Sequence, residues 1–278
     1  MLPENGLTGN GLPANGLAAN GTATWLRRFH GGPGQVGAPG GPADPGGQVR
    51  LVCFPHAGGS ASYYFPLSAA MPPWVEVLAV QYAGRQDRRK EPPIVDIGEL
   101  ADRVAGALRP LSDRRLALFG HSMGAVVAYE VARRLDGDLH VEVEMLFASG
   151  RRAPSRYRDE ENVHTLDDDG IVAEISRLDG TDPRLLADPE VREMVLPAVR
   201  SDYQAIGTYR HLPGSTVRCP VTVLVGDADP HTTLEEARAW AEHTIGGCAV
   251  RVYPGGHFYL RSRLAEVVDT VCGQLANR

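Results

Sequence analysis

Residues Arg114–Leu135 read RRLALFGHSMGAVVAYEVARRL. An apolar run ends at Gly120-His121-Ser122-Met123-Gly124, and a segment of helical period follows at once. Those five residues fit G-x-S-x-G, a pattern that is weak on its own. The setting makes it informative, because a strand on one side and a helix on the other put the serine on a sharp turn. Gly120 and Gly124 carry no side chains to collide as strand and helix close together. The helix N-terminus also points backbone N–H groups at the reacting centre. Ser122 is therefore the candidate nucleophile, against the alternative of a tight strand-helix turn carrying an inert serine.

Working outward, short apolar runs rich in β-branched residues alternate with helical segments. Strands are predicted over Arg50–Phe54, Val75–Gln81, Arg115–Gly120, Glu144–Ser149, Val221–Gly226 and Ala249–Tyr253. Most are continuously apolar, as strands covered on both faces by helices are. Helices are predicted over Ile97–Leu108, Met123–Leu135, Thr233–Thr244 and Arg261–Leu275. The alternation predicts an α/β fold with a mainly parallel, doubly wound sheet. Between Ser149 and Val221 it breaks: Asp167–Leu178 and Asp188–Tyr209 read as helices among prolines, with Pro197 expected to kink or split the second. Residues 151–214 are thus expected to form a helical lid over the carboxyl end of the sheet.

A serine hydroxyl needs a general base, itself oriented by a carboxylate, and in this architecture the chain order is Ser, then Asp or Glu, then His. After VTVLVG comes Asp227-Ala228-Asp229-Pro230, and after AVRVYP comes Gly255-Gly256-His257. Both stand at carboxyl ends of predicted strands. His257 is the expected base, and Asp229 is preferred to Asp227 because a turn must intervene before the carboxylate faces back. The oxyanion needs donors as well. One is expected from the N–H of Met123. The second is expected from the loop Pro55-His56-Ala57-Gly58-Gly59-Ser60, with Ala57 as the donor, although an ordinary Gly-rich turn is the alternative. His56 and His121 lie nearby but lack the strand-end placement of a base, so structural roles are expected of them.

The 278 residues carry 28 Lys and Arg against 34 Asp and Glu, a net charge of −6 that offers nucleic acid no overall attraction. No apolar stretch is long enough to cross a membrane, and the start MLPENGLTGN has neither a basic nor an apolar leader region, so a cytoplasmic location is expected. Residues 1–22 repeat Asn-Gly every five residues and are expected to be a disordered extension. Trp25–Phe29 reads as a short edge strand, and 30–47 as a Gly/Pro-rich loop within one domain over 23–278. Cys53, Cys219, Cys248 and Cys272 are widely spaced and read as buried thiols. No metal-ligand spacing, Walker loop or dinucleotide fingerprint stands out, so no cofactor is expected. Two basic runs, Arg85/Arg88/Arg89/Lys90 and Arg151/Arg152/Arg156/Arg158, read mainly as solvated faces, with an acidic partner as the sharper alternative. A monomer is expected, since no long exposed apolar helix face appears.

The segments LVCFPHAGGSASYY, YAGRQDR, LFGHSMGAVVAYEVA, RSDY, VLVGDADP and GGHFYL together resemble the type II, or editing, thioesterases of polyketide and nonribosomal peptide assembly lines. The similarity in order and spacing runs from about Trp25 to the C-terminus, with Ala83 standing where proline is expected. The resemblance implies an α/β-hydrolase fold with a helical lid. It implies a triad on Ser122, Asp229 and His257, and an oxyanion hole on the Ala57 and Met123 amides. It further implies the substrate: acyl groups carried as thioesters on the phosphopantetheine arm of an acyl or peptidyl carrier protein. The nearest alternative is an esterase or acyltransferase using the same triad on small acyl esters.

Overall fold

The computed structural model describes residues 22–30, 49–137, 140–178 and 186–277. The expected extension over 1–22, except its last residue, and the 30–47 loop, except residue 30, lie outside the described residues. Seven strands form one sheet: β1 (Leu26–Arg28), β2 (Val49–Phe54), β3 (Val75–Val80), β4 (Leu116–His121), β5 (Val143–Ser149), β6 (Val221–Gly226) and β7 (Cys248–Tyr253). Their order is β1-β3-β2-β4-β5-β6-β7, and every neighbouring pair is parallel except antiparallel β1–β3. β2 through β4 are buried along their whole length, which is why their sequences are continuously apolar. At the far edge every residue of β7 but Tyr253 is exposed or half-buried.

The helices are α1 (Thr22–Trp25), α2 (Phe65–Ala70), α3 (Ile97–Leu108), α4 (Met123–Asp136), α5 (Asp168–Arg177), α6 (Pro189–Thr208), α7 (Leu234–Arg238) and α8 (Leu264–Ala276). One hydrophobic core joins α3 and α4 to one sheet face, and a second joins α2 and α8 to the other. The chain steps from β2 outward to β3, then returns past β2 to β4. The carboxyl ends of β2 and β4 therefore flank a topological switch point, with Phe54 in register with Gly120. That crevice receives both the serine turn and the Gly-rich loop.

The sequence missed α2, whose six residues are too few for a helical period to show. The segment expected as one helix over Thr233–Thr244 splits. After α7 it tightens into a 3₁₀ turn, Ala239–His243, which seats fully buried Trp240 with its Nε1 donating to the Arg151 carbonyl. Similarly, α8 starts at Leu264, because Tyr259–Arg261 forms a separate 3₁₀ turn that buries Tyr259 and Leu260.

Between β5 and β6 stand the 3₁₀ segment Asp159–Thr165, then α5 and α6. Val163, Ile171, Leu196 and Val199 form a small separate core there, while Ala205 and Ile206 of α6 belong to the main core. α6 thus ties this insertion to the body. Pro197 does not split it: the proline lies on the exposed face, next to solvent that can satisfy the carbonyl it leaves unpaired.

Candidate active site

Ser122 links β4 to α4 with φ 55° and ψ −120°, a conformation that costs a non-glycine residue about 1–3 kcal/mol. The turn is held by its own N–H, which donates to Ser149 O at 2.8 Å, and by Ala125 N–H, which donates to Ser122 O at 3.0 Å. Its flanking glycines are obligatory. A Cβ on Gly120 would fall 2.1 Å from Gly124 O, and one on Gly124 would fall 2.0 Å from Phe54 O. Ser122 occupies the N-cap position of α4, yet its side chain makes no capping hydrogen bond. The hydroxyl instead lines a cavity.

His257 and Asp229 arrive from the ends of β7 and β6. The imidazole Nδ1 stands 2.9 Å from Asp229 Oδ2 and 3.1 Å from Oδ1, with side chains 3% and 0% exposed. Such a carboxylate holds Nδ1 protonated and leaves Nε2 as the acceptor. Asp229 Oδ1 also accepts the His231 N–H at 2.8 Å. Asp227 is exposed and does something else: its Oδ1 accepts the Gly255 N–H at 2.9 Å, bracing the loop that carries His257. The structure therefore brings Asp229 to the histidine and Asp227 to a turn.

His56, Ala57, Gly58, Ser122, Met123 and His257 line one end of a cavity of about 220 Å³. Leu186, Val195, Val199 and Ile206 give it an apolar wall. Arg151, Arg152, Arg158, Glu174, Arg177 and His231 also line it, and neither Glu174 nor His231 was singled out from the sequence. The Glu174 and Arg177 spacing on α5 was a readable helical pair, and Arg177 grips Glu174 through both carboxylate oxygens. His231 had no such signal, because only the fold turns it inward.

The basic runs correct the expectation of solvated faces. Arg85 is buried and pairs with Asp202 of α6 through two hydrogen bonds of 2.6 and 2.8 Å. Arg88 is buried too, with its guanidinium 4.1 Å from the centre of the Trp25 ring. Only Arg89 and Lys90 of that run are exposed. In the second run Arg152 is 1% exposed and donates to Arg156 O and His231 O, while Arg158 grips Glu236 of α7 through both carboxylate oxygens. Of these cations Arg152 and Arg158 line the cavity, each bonded to a carbonyl or carboxylate far away in sequence.

His121 packs 5.1 Å from His257 and 5.9 Å from His56, centre to centre. Burial pushes His56 down to about 3 and lowers His121 as well, with further opposition from His257. Both stay neutral, so neither places a positive charge against the His257 imidazole. His121 Nδ1 lies 2.9 Å from Ser149 Oγ, which lies 2.6 Å from the Tyr259 hydroxyl. The four cysteines form no disulfide; Cys53 and Cys219 are buried as expected, but Cys248 and Cys272 are only half-buried.

A family model described as a thioesterase domain matches residues 49–275. The chain is 50% identical over 252 residues to a probable cadicidin biosynthesis thioesterase of Streptomyces griseus, an alignment spanning 91% of this chain and 66% of that protein. It is also 50% identical to thioesterase PikA5 of Streptomyces venezuelae, spanning 90% of this chain and 85% of the relative. Among solved structures, the type II thioesterase BorB from the borrelidin biosynthetic cluster superposes with a TM-score of 0.80 at 44% identity. That match covers 94% of this chain and 100% of BorB. A serine turn at the switch point of a mostly parallel sheet and these matches lead to one assignment: the chain belongs to the thioesterase domain family, on an α/β-hydrolase fold.

Proposed function

We propose that the protein hydrolyses acyl groups held as thioesters on the phosphopantetheine arm of acyl or peptidyl carrier proteins, clearing stalled or aberrant chains in secondary-metabolite biosynthesis. The observation that carries this reading is that His257, paired with buried Asp229, lines the same cavity as Ser122. Relatives named for polyketide and nonribosomal peptide pathways support the substrate class. We keep with it a cytoplasmic monomer; no helix among the described residues is long and apolar enough to cross a membrane.

The chemistry runs in two balanced halves. Ser122 Oγ attacks the thioester carbonyl carbon while His257 Nε2 takes the hydroxyl proton. Negative charge on the carbonyl oxygen meets the N–H groups of Met123 and Ala57. Collapse breaks the C–S bond, and the imidazolium returns its proton to the departing pantetheine sulfur. Water then attacks the Ser122 ester, His257 again takes and returns the proton, and the free acid leaves. Asp229 stabilises the imidazolium and holds the ring in place throughout.

Intact-mass analysis of acyl-loaded carrier protein tests the proposal. The acyl mass is expected to disappear, with free acid as product, faster from the carrier than from the matching acyl-CoA. Ser122→Ala is expected to be slower by ~10³-fold or more. Acyl-carrier that persists while simple esters turn over, or transfer to an added nucleophile in place of water, would leave an esterase or acyltransferase.

A further inference from the structure

Asp202 sits on α6 with 1% of its surface exposed, and it is not part of the triad. Its Oδ2 accepts the backbone N–H of Gly58 at 2.7 Å, one residue after Ala57. The same carboxylate takes both prongs of Arg85, and Arg85 NH1 in turn donates to Gly59 O at 2.9 Å. Inside the loop, Gly59 N–H donates to His56 O at 2.9 Å, closing a turn. The loop is thus held at the N–H of one residue and at the carbonyl of the next by a single ion pair. α6 also presses on the loop directly. Gly58 has φ 74°, and a Cβ there would fall 2.7 Å from Val199 Cγ2.

Peptide planes couple these contacts to the chemistry. Fixing the Gly58 N–H fixes the plane of the Ala57–Gly58 peptide, and the Gly59 N–H bond to His56 O holds the plane of the His56–Ala57 peptide, which carries the Ala57 N–H. With the planes on both sides of Ala57 held, that N–H has a set direction. An oxyanion donor acts only when pre-aimed at where charge develops, and a buried carboxylate bound to a guanidinium is a rigid way to aim it. Arg85 is buried as well and separated in sequence from Asp202 by 117 residues, so this pair exists only when α6 is seated on the body.

We infer that the Arg85–Asp202 pair is a positioning device that carries the seating of α6 into the geometry of the oxyanion hole. Neither residue touches the substrate. The inference rests on the thioesterase reading of the site and on Ala57 as a donor.

Asp202→Asn strands a buried guanidinium, so its effect mixes folding with positioning. The decisive variant is the double replacement Arg85→Met with Asp202→Leu, which removes both charges at similar volume and restores stability in such pairs. We expect the double variant to recover most of the Tm lost by Asp202→Asn but to keep a kcat ~10–100-fold below wild type, with KM changed less than ~3-fold. A trifluoromethyl ketone acyl analogue, which forms an oxyanion with Ser122, is expected to lose affinity by the same factor. A non-hydrolysable acyl-pantetheine amide is expected to keep its affinity. Recovery of kcat together with Tm in the double variant would show a purely structural pair and overturn the inference. Should the double variant fail to fold, Arg85→Lys keeps the charge and loses the fork. A lowered kcat with weakened ketone binding in that variant would support the inference, and wild-type values of both would overturn it. Ser122→Ala retaining thioesterase activity would instead bring down the underlying reading. Inactive Ser122→Ala beside wild-type kcat in the double variant would bring down this inference alone.

Discussion

Two aspartates two residues apart have different jobs. Asp229 is buried against His257, whereas Asp227 is exposed and holds the Gly255 N–H. Asp229→Asn is therefore expected to lower kcat by ~10³–10⁴-fold by leaving the His257 imidazole in the wrong tautomer toward Ser122. Asp227→Asn is expected to change it by less than ~10-fold, since asparagine retains an acceptor for Gly255. Steady-state kinetics on one acyl thioester compares the pair, and equal losses would contradict the assignment. Much of this division was legible in advance: the order Ser, Asp, His and the strand ends pointed to both aspartates and the need for a turn preferred Asp229, while the hold of Asp227 on Gly255 shows only in the fold. The pairing of Arg85 with Asp202 was not legible, although both stand in segments that carry the resemblance. A charge reads as solvated until its partner is known, and theirs lies 117 residues away.

At the level of elements, the strand-turn-helix unit was the most readable feature because its constraint is local. Gly124 admits no side chain, with the Phe54 carbonyl 2.0 Å from where a Cβ would stand. Gly124→Ala is expected to destabilise the protein by more than ~3 kcal/mol, measured as a large drop in Tm or as loss of soluble protein. A Tm within a degree or two of wild type would show that α4 can shift. The strands β2 to β6 matched their predicted ranges to within a residue because full burial writes itself as unbroken apolar sequence. The short elements did not. α2 and the 3₁₀ turns at Ala239–His243 and Tyr259–Arg261 answer to single buried side chains such as Trp240 and Tyr259, which carry no period.

Across the whole molecule, several histidines are buried without charge. Burial pushes His56 to about 3 and His243 to about 4, and lowers His121 and His211 as well. The unfolded chain, with histidines near 6.5, binds more protons below that pH, so stability is complete above about 6.5 and falls as pH drops. The Glu174 carboxyl, held to about 2 by the His231 hydrogen bond and then by Arg177, adds its own loss only below its ordinary value of 4.5. Between pH 6.5 and 4.5 the slope of Tm against pH therefore belongs mainly to histidines. His243→Gln, outside the cavity lined by Ser122 and His257 and able to keep a bond to Ser155, is expected to flatten that slope by at most one proton's contribution. An unchanged slope would mean that His243 titrates alike in both states. The proposed chemistry passes through a covalent bond on one residue of a chain folded to expose it. Its most direct measurement is the mass of rapidly quenched protein after mixing with an acyl-loaded carrier protein, followed by mapping of the modified peptide. A transient gain of one acyl group on Ser122 is predicted, absent in Ser122→Ala. Hydrolysis of the carrier thioester by wild type together with an acyl group on another residue, or undiminished hydrolysis by Ser122→Ala, would contradict it.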